Sequence, residues 1–322
     1  MQLNRRQTIL GLAATGAILM TGERVLAQDI LGGRAFGSTW RVIPDSQDSH
    51  QSPLRRMIER IIADIDAAMS PYRRSSDLAR FNRTRTTDWQ PVPDTMMPVA
   101  TRALRIAALT DGAFDPTIGP LVGRYGFGPI TGELGRYDEI SVRDGAARKD
   151  NPGLTLDLCG IAKGYALDQI AATLVRHGET RALIEVGGEV ITLGAHPGGR
   201  PWQVAVLDPV SAAPAIQRIV APGRLALATS GHSENGLRGP IEISHIIDPV
   251  RGRTARMSIG SVTVLAETGM QADALATALC ALGAEDGILM AEKLGLSALF
   301  INDGVRAPRE VMTGAFADHV IA

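Results

Sequence analysis

Two short stretches hold the residues with the most chemical potential. The first spans residues 154–174, LTLDLCGIAKGYALDQIAATL, in which Asp157 precedes Gly160, Lys163 and Gly164. Alternation up to Asp157 predicts a strand, the glycines a tight turn, and the amphipathic run 166–174 a helix that ends near Gly178. Bare amides at such a helix start favour phosphate, and Lys163 adds a positive point charge. Gly160 and Gly164, with no side chain, let a ligand approach closely. The same pattern also fits an ordinary strand–helix connection with a surface lysine. Neither GxxxxGK[ST] nor GxGxxG is present in this stretch, so it is neither a Walker loop nor a dinucleotide fingerprint.

The second stretch is the Ala-rich helix expected over 271–282, with Asp273 and Thr277 four apart on one face. A carboxylate and a hydroxyl, joined by a loop carbonyl, form an oxygen set that suits Mg²⁺, which usually completes its shell with phosphate and water. Asp273 as a helix-start residue and Thr277 as a packing residue is the alternative. His245, in Ser244-His245-Ile246-Ile247-Asp248-Pro249, is placed at a strand end, where it could carry a proton or serve as a half-buried structural histidine. His232, in Thr229-Ser230-Gly231-His232, competes for that role. A Ser-His-Asp hydrolase lacks its GxSxG elbow, and zinc chemistry lacks HExxH and CxxC.

The elements that must position these groups fill a chain of 322 residues, 45% hydrophobic and 21% charged, with 35 glycines and a formal net charge of −1. That charge, without Lys/Arg clusters, argues against nucleic acid as a partner. Arg5 and Arg6 precede an apolar run over 9–20, and Val25-Leu26-Ala27 resembles a cleavage site, so residues 1–27 read as a twin-arginine-type export signal and 28–322 as the mature domain. The apolar run is too short for a membrane span, and no stable membrane anchor is expected. Export would make the periplasm the working compartment. The two cysteines, Cys159 and Cys280, form no disulfide framework.

In order, a strand is expected at 34–43, a helix from Ser52-Pro53, a short helix at 76–82, and a helix from Asp94 to Leu109. The Gly- and Pro-rich run 112–128 is too apolar for a solvated linker and should line a pocket. Residues 131–152 read as irregular and exposed. Strands follow at 181–194 (a hairpin about Gly187-Gly188), 202–207, 216–220, 225–230, 241–247, 261–265 and 297–302, with a second late helix at 286–293. Helices at both ends of a β-rich middle predict a mixed α/β fold: one two-lobed domain with mixed sheets flanked by helices, and the site between the lobes.

Five motifs in order resemble the ApbE family of FAD:protein FMN transferases: Phe36-Gly37-Ser38-Thr39-Trp40, Gly112-Ala113-Phe114-Asp115, DLCGIAKG at 157–164, SHIIDP at 244–249, and SVTVLAETGMQADALATALCALG at 261–283. Glu185-Val186-Gly187-Gly188 and Ala228-Thr229-Ser230-Gly231 also fit, and the match covers nearly the whole mature chain. The resemblance implies hydrolysis of FAD and attachment of FMN to a Thr or Ser of a flavoprotein, with AMP leaving. It implies Mg²⁺ held by the side chains of Asp273 and Thr277 and the carbonyl of Gly160. Asp157 and Lys163 would contact FAD; Phe36, Tyr72, Ala113, Phe114, Asp115 and Ile246 would line its pocket; His245 would take the acceptor proton. The exported NosX proteins are a similar subtype, and the acceptor would be a NosR-, RnfG- or NqrC-like FMN-binding domain. An FAD pyrophosphatase and a non-catalytic flavin-binding protein are the alternatives. Cys159, Cys280, His232, Ser233 and Thr254 depart from the family pattern, and the two cysteines would flank the metal site closely enough to invite a disulfide.

Overall fold

In the computed structural model the described residues are 30–45, 51–211, 213–232, 243–255, 259–302 and 309–322. The expected export signal lies outside them, as does Ser233. An eight-stranded sheet runs β1 (Leu31–Ala35), β2 (Ser38–Pro44), β6 (Ala182–Val186), β7 (Glu189–Leu193), β10 (Ala226–Gly231), β13 (Ile259–Ala266), β14 (Ser297–Asn302), β15 (Glu310–Thr313), in the order of the chain. The mixed α/β class is as expected, and every described pairing in this sheet is antiparallel. What read as one strand over 34–43 is a hairpin. Phe36 and Gly37, with φ of 51° and 79°, turn the chain between β1 and β2.

Between β2 and β6 come α1 (Gln51–Met69), α2 (Asp77–Arg83), β3 (Gln90–Pro91), α3 (Met97–Leu109), α4 (Gly119–Arg124), β4 (Ile140–Arg143), β5 (Ala146–Lys149) and α5 (Cys159–Arg176). Later segments add β8 (Val204–Leu207), β9 (Ile216–Val220), β11 (Ile247–Asp248), β12 (Arg253–Thr254), α6 (Gly269–Leu282) and α7 (Ala284–Lys293). The period-2 alternation of the sheet makes two cores. Trp40, Val42, Ile184, Val186, Ala228, Val262, Val264 and Phe300 join one with α1, α5 and α6. Ile43, Leu183, Leu227, Leu265 and Leu299 join the other, with Val204, Val206, Val220 and Phe316.

Other sequence expectations are also corrected. Residues 154–158 enter no strand ladder; the Asn82 side chain grips Leu156 instead, donating to its carbonyl at 2.8 Å and accepting from its amide at 2.7 Å. Residues 131–152 are not all irregular and exposed. They supply β4 and β5, and Lys149 is wholly buried, its ammonium bonded to the carbonyls of Phe81 and Thr84. The 112–128 run is partly helical, as α4. Of the strand expected at 241–247, residues 241 and 242 lie outside the described residues, and only a bridge at Ile243 and Ile247 of β11 pair. His245 therefore sits in a bend.

Helices α5 and α6 form the frame of the candidate site. Gly164 faces Gly269, and a Cβ on Gly164 would overlap the backbone of Gly269 and Met270. The expected close approach at Gly164 is thus helix to helix, not protein to ligand. Asp168 of α5 accepts the amides of Gly269 at 2.6 Å and Met270 at 3.1 Å, and Thr268 accepts that of Gln271 at 3.2 Å. These caps satisfy the start of α6 and fix it against α5.

Candidate functional site

Gly160 interrupts the first turn of α5 with φ −84° and ψ 16°. A Cβ there would lie 3.2 Å from the Phe114 ring and 3.3 Å from the Thr277 hydroxyl, so the bare backbone at 160 abuts both the apolar loop and α6. Asp157 bends the chain into this turn. Its amide donates to the Pro116 carbonyl at 2.7 Å, and its Oδ1 accepts the Cys159 amide at 2.9 Å. Burial pushes the Asp157 carboxyl up, against the lowering effect of those bonds to Cys159. On the facing helix, Asp273 Oδ2 accepts the Gly164 amide at 3.0 Å and Thr277 donates its hydroxyl to the Asp273 carbonyl at 3.0 Å. Ser230, at the end of β10, approaches the Thr277 hydroxyl at 3.3 Å.

Lys163 lies on the other side. It pairs with Glu189, the first residue of β7, whose side chain is 2% exposed. A Cβ at Gly187, which has φ 60°, would meet Lys163 Cδ at 3.0 Å, Glu189 Oε2 at 3.3 Å and Ser38 Cβ at 3.7 Å. The turn between β6 and β7 thus lies against both the lysine and Ser38, two residues beyond Phe36. Glu189 Oε2 is buried with no hydrogen-bond partner. Burial and then, opposing it, the Lys163 charge act on both Glu189 and Asp273, and the carboxyls of both are raised. Two buried acids thus share one ammonium, and a bound cation would favour their ionised forms. The hydroxyl oxygens of Thr277 and Ser230, the Asp273 carboxylate and the backbone of Gly160 make an oxygen set suited to a hard divalent ion. No group of three or more His, Cys, Asp or Glu placed to hold a metal occurs among the described residues.

His245 reaches this centre electrostatically. Burial, and then the charge of Lys163, lower its pKa to about 4, and its Nδ1 is buried without a partner. Its ring meets Phe127 edge-on at 6.2 Å, and Phe127 O accepts the Tyr72 hydroxyl at 3.2 Å. Tyr72 is otherwise exposed, at 69%. Burial, then the charges of Cys159 and Asp157, push the phenol up.

The expected site residues fall into two groups. Gly160, Lys163, Asp273, Thr277 and Phe114 surround one centre, with Asp157 at its edge and Tyr72 and His245 beyond. Ala113 and Ile246 are buried in the main core, and Phe36 packs on its margin in the left-handed region that few non-glycine residues occupy. The Asp115 carboxylate is taken up locally, accepting the Thr117 amide and hydroxyl at 2.8 Å each and the Tyr137 amide at 3.2 Å; it shapes the loop. His232 is 2% exposed and bonded inside the protein, so it does not compete with His245. Both cysteines are free; Cys280 is buried against His232 and Cys159 is exposed. Sequence reasoning passed over Glu189, Asp168 and Ser230 as site residues. An acid directly after a Gly-Gly turn, at a position where the strand alternation points inward, was the signal for Glu189.

Fold and site together define an enzyme whose chemistry centres on a buried, charged, oxygen-rich junction of two helices. The protein-family model described as the ApbE family matches residues 36–300, and the chain belongs to the ApbE family. A curated relative from Vibrio cholerae, named FAD:protein FMN transferase, is 33% identical over 311 residues, 90% of this chain and 92% of the relative. One of the same name from Escherichia coli K12 is 33% identical over 293 residues, covering 84% and 83%. Among solved structures, the flavin transferase ApbE from Vibrio cholerae matches with a TM-score of 0.80 at 32% identity, covering 90% of this chain and 98% of that one. The apo flavinyl transferase ApbE from Pseudomonas stutzeri matches with a TM-score of 0.79 at 30% identity, covering 91% and 97%.

Proposed function

We propose that the chain transfers FMN from FAD to a Thr or Ser hydroxyl of an acceptor flavoprotein, releasing AMP, with Mg²⁺ as cofactor. The observation that carries this reading is the junction of Gly160, Lys163, Asp273 and Thr277, which brings the expected turn and the expected helix face together. The family's flavin-transfer activity is in keeping with it.

The acceptor oxygen forms a bond to the phosphorus on the FMN side of the pyrophosphate. The bond from that phosphorus to the bridging oxygen breaks, and AMP leaves with the electron pair. Neutral His245 takes the hydroxyl proton. A pKa of about 4 keeps its imidazole in the accepting form at neutral pH. Lys163 balances phosphate charge, and Phe114 and Phe36 supply apolar walls for the flavin. Asp273 and Thr277, with the Gly160 carbonyl, would hold Mg²⁺, whose contribution is Lewis-acid neutralisation of the pyrophosphate. Positioning and charge neutralisation then provide most of the rate, as is general at phosphoryl centres.

The sequence pattern over 1–27, which reads as a twin-arginine-type export signal, supports action in the periplasm by a single mature unit, 28–322, on an exported NosR-, RnfG- or NqrC-like FMN-binding domain. Among the described residues no helix is long and apolar enough to cross a membrane. The test is incubation with FAD, Mg²⁺ and each candidate domain, read by mass spectrometry. A gain of one FMN by the acceptor, matched by AMP, is expected. AMP release indifferent to the acceptor would replace this reading with an FAD pyrophosphatase. Binding of flavin without cleavage would leave a flavin carrier.

A further inference from the structure

The bend that carries His245 hangs on a buried chain of side chains outside the mechanism described above. His232 follows the last residue of β10 and is 2% exposed, and Ser244 is fully buried. His232 Nδ1 lies 2.6 Å from Ser244 Oγ, and Nε2 lies 3.8 Å from Cys280 Sγ. Ser244 Oγ also accepts the Ile246 amide at 2.9 Å. Ser244 Oγ thus accepts the Ile246 amide and shares a second hydrogen bond with His232 Nδ1, while Nε2 faces the Cys280 sulfur.

The arrangement joins the two halves of the proposed reaction centre. Both neighbours of His245 in the chain, Ser244 and Ile246, are held through the one hydroxyl that His232 engages. At the other end His232 rests on Cys280, one turn along α6 from Thr277, and Ser230, two residues earlier in the chain, meets Thr277 itself. The end of β10 and the residue after it thus touch α6 at two successive points, and the second of them carries the His245 bend.

We propose that His232 is a positioning residue. Through Ser244 it sets the distance and aim of His245 relative to the Asp273–Thr277 face, and it touches neither substrate nor cofactor. The inference rests on the reading of His245 as the proton acceptor. A misplacement of about 1 Å of such a group costs on the order of a hundredfold in rate.

The experiment uses the mature chain, FAD, Mg²⁺ and an acceptor domain that the Vibrio cholerae relative modifies. Transfer is measured for wild type, His232→Leu, His232→Asn, Ser244→Ala, the double variant His232→Leu/Ser244→Ala, and His245→Ala. Expected are a fall in kcat of about ten- to a hundredfold for His232→Leu and for Ser244→Ala, with KM for FAD within about twofold, and a double variant no slower than the slower single one. His232→Asn, whose side-chain amide can still hydrogen-bond Ser244, recovers most of the rate. Ser244→Ala removes a single oxygen and keeps the test decisive if His232→Leu does not fold. Wild-type kcat in Ser244→Ala, a loss confined to KM, or independent losses that multiply would overturn the proposal while an inactive His245→Ala leaves the base assignment standing. Wild-type transfer by His245→Ala would instead overturn the base assignment and the positioning role with it.

Discussion

Adding one methyl group at Gly164 separates the framework of the site from its chemistry. Gly164 and Gly269 meet backbone to backbone, and the new Cβ would sit inside contact distance of the Gly269 carbonyl and the Met270 amide. Ordinary carbon contact requires about 3.5 Å. Restoring it means parting α5 and α6 by about 1 Å, because neither neighbour is a flexible side chain. Overpacking of this kind costs about 1–3 kcal/mol or more, and a helical Gly→Ala change returns at most about 1 kcal/mol. The net for Gly164→Ala is a loss of about 1–2 kcal/mol, or several degrees in Tm for a domain of this size. The same displacement pulls the Asp273 carboxylate off the Gly164 amide and Thr277 away from Gly160, so FMN transfer should fall at least tenfold. Gly160→Ala is the control. Its Cβ would meet Phe114 and Thr277 at 3.2 and 3.3 Å, contacts that shifts of a few tenths of an ångström relieve, and its φ of −84° suits alanine. That variant should keep its Tm within about 2 °C yet lose transfer, because the methyl fills the space beside the Thr277 oxygen. Differential scanning calorimetry and AMP release on both proteins decide the matter. Wild-type stability and activity in Gly164→Ala would refute the argument that this crossing sets the site.

Lys163→Met leaves Glu189 buried without its partner and should cost about 3–5 kcal/mol in denaturant unfolding; Lys163→Met/Glu189→Gln should recover most of that stability and none of the transfer activity. Asp273→Asn should abolish the Mg²⁺ dependence of FAD cleavage together with the cleavage itself, and full activity in that variant would remove Asp273 from the metal site. The His245 imidazole, lowered to about 4, is the accepting base above that pH and is lost as proton acceptor only as pH falls through it. The acid limb of kcat/KM should therefore lie well below the ordinary imidazole range of about 6.5, and a limb at 6–7 would exclude His245 in this environment. Asn82→Ala removes both hydrogen bonds to Leu156 and should cost about 1–3 kcal/mol, with a matching loss of FAD affinity as the Asp157 turn loosens.

The sheet and the late helices were legible because their signals are local. Strict alternation in SVTVL marks β13, and an unbroken Ala-rich run ending at Gly283 marks α6. The i, i+4 spacing of Asp273 and Thr277 was sound geometry, and Gly160 does lie against Thr277. Where the reading failed, a long-range partner had displaced the local rule. Residues 154–158 look like a strand, but the bonds to Leu156 come from Asn82, 74 positions earlier. Residues 131–152 look solvated because the carbonyls that accept the buried Lys149 ammonium lie on α2 and just beyond it. Gly164 looked like a ligand contact, since nothing in a sequence tells which backbone a bare glycine will meet. Glu189 escaped notice because its meaning comes from Lys163, across the α5–β7 contact.

The main sheet takes up its strands in the order in which a ribosome would deliver them, from β1 at one margin to β15 at the other. Each new strand finds its neighbour already made, so growth of the sheet is vectorial. A nascent chain halted before Glu310 would present β14 as a naked margin, with Phe300 and Ile301 among its residues and a row of open amides and carbonyls. Such an edge templates pairing between copies. Shortening this protein from its C-terminal side should therefore yield inclusion bodies, not a smaller soluble enzyme.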